Sequence, residues 1–130
     1  FAVLAAAARR STGPLEHGLL AVLDSRREEL FAATLNASFT PADAPMLLTA
    51  AEVAALCRQR RLRLVAEAEL TDFADPQFAD LDVAHARADA AAVAELAALR
   101  PDLHLPAEPI YLRPPDVSQP KPALPKAPAP

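Results

Sequence analysis

Residues Gly18–Leu35, GLLAVLDSRREELFAATL, decide how the chain is read. Two apolar segments, Leu19–Leu23 and Leu30–Leu35, flank the polar run Asp24-Ser25-Arg26-Arg27-Glu28-Glu29. A short apolar block without polar alternation is the pattern of a strand buried on both faces, and it is too short for a buried helix. The polar run then turns the chain, and the second block pairs antiparallel with the first. A competing reading exists. Ser25 followed by Glu28 is a capping-box pattern, and RREEL is rich in good helix formers, so propensity starts a helix at Ser25. Periodicity alone leaves the two readings open.

Composition narrows the function classes. A chain of 130 residues has the size of one domain and can bury a core without disulfides or metals. The single cysteine, Cys57, excludes a disulfide framework and fits a reducing, cytoplasmic compartment. Net charge is −4, so no global field draws the protein to nucleic acid or anionic lipid. Five Phe, one Tyr and no Trp leave few platforms for base stacking. No apolar run approaches the roughly 20 residues of a membrane span. Phe1–Arg10, FAVLAAAARR, reads as a helix whose Arg9 and Arg10 complement the negative end of the macrodipole, stopped by Gly13-Pro14. A signal peptide carries its basic residues before the apolar block, and here they follow it. Opening inside a helix on Phe rather than Met, the chain is expected to be the C-terminal part of a longer protein.

Beyond the proposed hairpin, Asn36–Pro45 has loop composition, and Thr49-Ala-Ala-Glu52 is a second capping box. It opens a helix running to about Arg60, with Val53, Leu56 and Cys57 at helical spacing. Arg61–Val65 alternates and then becomes apolar, a strand signal, while Thr71–Ala84 reads as irregular. An Ala-rich helix is expected from about Asp89 to Arg100, with Val93, Leu96 and Ala97 on one face, closed by Pro101. Glu108–Arg113 reads as a last short strand. From Pro114 onward, seven of the 14 prolines fall in the last 17 residues, which predicts a solvated polyproline-like tail over 114–130. Its PxxP spacings, Pro122–Pro125 and Pro125–Pro128, occur in any such tail. The expected fold class is α+β with α/β-like layers: a small mixed sheet with packed helices.

Little in the residues indicates chemistry. Gly13 and Gly18 are the only glycines, and neither belongs to a phosphate-cradling motif. His17, His85, His104 and Cys57 are scattered, without zinc-ligand spacing. Cys57 lies on the apolar face of its helix, where burial raises a thiol pKa and leaves it inert. Arg58, Arg60, Arg61 and Arg63 form a basic cluster at a helix C-terminus and the solvent face of a strand, positions that favour cations without a ligand. Asp72, Asp75, Asp80 and Asp82 resemble a metal-binding comb but lack the EF-hand ligand order and turn glycine. No catalytic residue, metal ligand or cofactor is assigned.

Two segments together carry a family resemblance. Asp24–Phe31, DSRREELF, resembles the DARRGEVY-like turn that opens the second half of the bacterial TsaB (YeaZ) family of tRNA threonylcarbamoyladenosine proteins. Tyr111-Leu112-Arg113-Pro114-Pro115-Asp116 resembles that family's closing YLR-P segment. The capped helix, the strand Leu62–Val65 and the helix Asp89–Leu99 come between them in the expected order, so the likeness spans Phe1 to about Val117. Two positions depart from it. Glu28 stands where the family usually has glycine, and Ala66-Glu67-Ala68-Glu69 replaces a Gly-containing turn, which argues against close backbone approach to a phosphate there.

The resemblance implies one lobe, residues 1–113, of an actin-like, sugar-kinase/Hsp70-type ATPase fold. It implies a non-catalytic scaffold that works with the related enzyme TsaD and the ATPase TsaE to place a threonylcarbamoyl group on adenosine 37 of tRNA. No direct nucleic-acid or membrane contact is expected. Apolar surface left by an absent lobe would favour a homodimer. Asp24, Arg26, Arg27, Tyr111, Leu112 and Arg113 are the structural or partner-contact candidates. An exposed pair between Asp24 and Arg26 or Arg27 is worth ~0.2–1 kcal/mol, and Tyr111 is expected to bury its ring with the hydroxyl at the edge. Two rival readings come from other classes. An independent nucleotide-binding actin-like domain predicts ATP affinity, and a metallopeptidase relative predicts a paired-histidine motif that the sequence lacks.

Overall fold

Our computed structural model describes residues 1–12, 17–103 and 109–113. The Gly13-Pro14 stop, His104, Glu108 and the proline-rich tail with its PxxP spacings lie outside the described residues. The elements are α1 (Ala2–Thr12), β1 (Leu19–Asp24), β2 (Glu29–Leu35), β3 (Met46–Thr49), α2 (Ala50–Arg60), β4 (Arg63–Glu67), β5 (Val83–Ala86) and α3 (Ala90–Leu99). Short 3-10 turns occupy Asp72–Ala74, Pro76–Phe78 and Pro101–Leu103. The strands form one mixed sheet in the order β3-β2-β1-β4-β5.

The hairpin reading of the opening stretch holds. β1 and β2 pair antiparallel from Leu19↔Leu35 to Asp24↔Leu30, so the turn is Ser25–Glu28 and no helix starts at Ser25. Burial decides against local propensity. Leu19, Leu20, Ala21 and Val22 are all fully buried, a constraint that only a central strand covered on both faces satisfies. Turn chemistry assists: Asp24 Oδ1 accepts the Arg26 N–H at 2.6 Å, and the Ser25 hydroxyl donates to the Glu29 carbonyl. Arg26 takes the left-handed conformation, φ 61°. The turn therefore places its positive φ at Arg26, and Glu28 needs none.

Successive β1 residues feed two apolar clusters, one on each face of the sheet. Leu19 and Ala21 join Leu35, Val65, Ala84 and Ala86 under α1 and α3. Leu20 and Val22 join Leu30, Ala32, Leu64 and Ala66 under α2, together with Phe73 and Phe78 from the 3-10 turns. Those two rings meet at 5.4 Å between centroids, tilted by 58°. On the first face much of the cluster is alanine: Ala5, Ala6, Ala7 and Ala8 of α1 share it with Ala21, Ala84 and Ala86 of the sheet and with Leu4, Leu19, Leu35 and Val65, all buried.

Helix α2 is bounded as its sequence predicts. Thr49 accepts the Glu52 N–H while Glu52 reaches back to the Thr49 N–H, and Arg61 closes the helix in the left-handed conformation. Helix α1 extends two residues past Arg10, to Thr12. Strand β4 begins at Arg63 and runs on through Ala66-Glu67, and Glu67–Leu70 turns without positive φ.

Other expectations are corrected. Thr71–Ala84 is not simply irregular, since β5 begins at Val83 and pairs parallel with β4. β3, four residues long, ends at Thr49 and pairs with β2. Strands this short carry too little periodicity to show in sequence; their partners in the sheet define them. No strand occurs at 109–113. In α3 the buried residue is Ala92, whereas Val93 is 52% exposed and Ala97 is also exposed. α1 lies against the Ala92 side, rotated from the face that the larger side chains mark.

Leu20→Ala should lower unfolding free energy by about 2–5 kcal/mol, because a fully buried side chain leaves a cavity. Val93→Ala, on the exposed side of α3, should change it by no more than about 0.5 kcal/mol. Urea unfolding followed by circular dichroism distinguishes the two.

Candidate functional site

β1, β4 and β5 run parallel, so their carboxyl ends share one edge of the sheet, the usual place for a crevice in open α/β architectures. Asp24 ends β1, and its N–H donates to Glu67 Oε2 at 3.2 Å at the end of β4. Asp24 Oδ2 also lies 3.4 Å from Arg26 Nε, a pair whose arginine is 90% exposed. Arg27 is exposed at the tip of the same turn.

The second motif meets the first through one contact. Arg113 Nη2 donates to Glu29 Oε2 at 2.5 Å, across 84 positions of sequence, with both side chains partly covered. Leu112 is half-buried beside it in sequence. Tyr111 is 81% exposed, which corrects the expected buried ring, and Ile110 is 68% exposed. Of the six candidates, then, Asp24 and Arg26 pair within the turn, Arg113 is tied to the hairpin, and Tyr111 faces solvent.

A groove of about 440 Å³ opens near the same sheet edge, lined by Ala7, Arg10, Ala68, His85, Ala86, Arg87 and Asp89. Sequence reasoning missed it because its polar walls come from distant segments. Arg10 Nη2 chelates both Asp89 oxygens, at 2.7 and 2.8 Å. Asp89 also caps α3 by accepting the Ala92 N–H. The guanidinium of Arg10, followed by that N–H, holds the Asp89 carboxyl below its ordinary range. Arg87 pairs with Glu69.

Two clusters that stand out in sequence meet through two ion pairs. Arg58 pairs with Asp80 at 2.7 Å, Arg63 with Asp82 at 3.1 Å, and Arg60 with Asp43 at 2.6 Å. The Arg63 Nε–H is buried yet not aligned to hydrogen-bond, so that pair is an ionic contact only. Asp75 Oδ1 accepts the Gln77 N–H and caps the second 3-10 turn. Two members of each cluster thus pair with one another, Arg58 with Asp80 and Arg63 with Asp82, while Arg60 pairs outside the comb and Arg61 serves as the helix cap. Among the described residues, no group of three His, Cys, Asp or Glu side chains is placed to hold a metal ion.

Cys57 packs with Val53 and Ala54 in the cluster under α2, away from the groove. Burial pushes its thiol up to about 11, so almost no thiolate exists near neutral pH. Among the described residues no helix is long and apolar enough to cross a membrane. No protein-family model matches the chain, and no curated protein matches it either.

Cys57 should react with a thiol-specific disulfide reagent at pH 8 only as fast as the protein unfolds, and rapidly in denaturant. Acid stability follows from the carboxylates. Arg10 holds Asp89 down, Arg58 holds Asp80 down, and the Thr49 N–H and hydroxyl hold Glu52 down. A depressed folded-state value means stability that is present above the unfolded value and lost as pH falls through the folded one. The melting temperature should therefore fall as pH drops below about 4, and Asp89→Asn should flatten part of that fall.

Proposed function

We propose that this chain is the C-terminal lobe of a TsaB-like protein, with an actin-like fold. In that reading it is a non-catalytic cytoplasmic scaffold for threonylcarbamoylation of adenosine 37 in tRNA, acting with TsaD-like and TsaE-like proteins. The observation that carries the reading is the Arg113–Glu29 contact. It joins the two segments on which the resemblance rests, although 84 positions separate them. The hairpin between Leu19 and Leu35 supports it as well, since the DSRREELF segment forms the turn that the resemblance requires. So does the layered sheet with helices on both faces.

A scaffold role also suits the residues near the sheet edge. Asp24, Arg26, Glu29, Arg113, Arg10 and Asp89 are engaged in ion pairs, and the thiol is buried elsewhere. Such a surface presents fixed charges and, at Tyr111, an exposed ring to a partner.

The test is co-purification of the full-length parent protein with its TsaD-like partner from the native host. A stoichiometric complex that elutes together on size exclusion is expected. A parent protein that purifies without any TsaD-like chain overturns the reading.

A further inference from the structure

We propose that α3 is a latched flank, a helix that undocks from α1 as its own low-stability unit and is held closed by Arg10. Helix α2 provides the contrast within the same molecule. It has a capping box at one end and a left-handed cap at the other, and it buries Val53, Ala54 and Cys57. α3 buries Ala92 alone, with Leu96 half-buried. Its Val93 and Leu99 are 52% and 54% exposed, and its principal neighbour is α1 rather than any strand. Ala92 and half-buried Leu96 offer little apolar area to hold a helix down, so the polar ties at its ends, small as each is, weigh more in α3 than in α2.

Those ties are specific. At the first end Arg10 chelates Asp89, the α3 N-cap, and lies 3.8 Å from Glu95 one helical face along. At the other end Arg100 donates to the Ser38 carbonyl and, at 3.1 Å, to the Thr40 hydroxyl. The connection from β5, Arg87–Asp89, is exposed and outside any element, which leaves it able to act as the hinge. The Arg10–Asp89 latch is itself partly exposed, at 39% and 49%, so salt screens it. Arg10 and Asp89 also wall the 440 Å³ groove, so releasing the latch alters that wall.

Native-state hydrogen exchange on the intact chain tests this. After correction for intrinsic rates, amides of Val93–Leu99 should exchange about tenfold or more faster than those of Ala54–Arg60. Raising sodium chloride from about 0.05 M to about 0.5 M should speed α3 further while β1 and β4 stay unchanged. Arg10→Gln should accelerate α3 amides several-fold without moving β1. Exchange of α3 at the same protection as β1, or acceleration of α2 and α3 alike by salt, overturns the proposal. Should Arg10→Gln not fold, the salt series on the unaltered chain decides it.

Discussion

From Leu19 to Val22, β1 leaves no face for water. With β2 on one side, β4 on the other and apolar clusters above and below, its backbone and side chains are satisfied only inside the assembled sheet. Everything else in the fold answers that constraint. α1 and α3 cover one side; α2 and the two phenylalanines of the 3-10 turns cover the other. The same constraint overrides the helix propensity of RREEL, since a helix from Ser25 would remove β2 and leave Leu20 and Val22 without an antiparallel neighbour.

Charge is organised around this core in pairs that join distant segments. Arg10–Asp89, Arg58–Asp80, Arg60–Asp43 and Arg113–Glu29 each link elements that the sequence separates. Exposed pairs of this kind add little stability individually. Their effect is geometric: they fix how helices and loops sit on a sheet whose apolar contacts are largely non-directional. The Thr34 hydroxyl, the one buried polar side chain among the described residues, donates to Asp43, which also receives Arg60.

The strongly patterned parts of this architecture were legible in the chain. The Thr49–Glu52 capping box and the Asp89 helix start follow from local rules, because the physics that forms them is local, whereas the two hairpin blocks are visible in the chain but only burial decides that they pair. β3 and β5 were not legible; four residues each, they are strands only because β2 and β4 offer edges. The face of α3 was misread because Val93 is larger than Ala92, while close approach to α1 favours the smaller residue. The groove walls, Arg10 with Asp89, lie 79 positions apart, a separation at which sequence spacing carries no signal. Tyr111 illustrates the opposite error. Its ring is expected inside as a large aromatic body with one polar tip, yet among the described residues it is 81% exposed.

The alanine-on-alanine contact between α1 and the sheet has a consequence for how this protein tolerates change. Alanine surrenders no rotamer freedom on burial, so the interface forms at low entropic cost and brings the backbones close together. It also has no slack. Leu4, Leu19, Leu35 and Val65 fill the rest of that cluster, but where alanine meets alanine no long side chain stands ready to move aside. Adding even a few carbon atoms at Ala5, Ala21 or Ala84 forces a helix and a sheet apart together. The two sheet faces therefore differ in how they take added volume. On the face bearing Leu20, Phe73 and Phe78 long side chains can shift to admit it, while the alanine contacts on the other are held by shape.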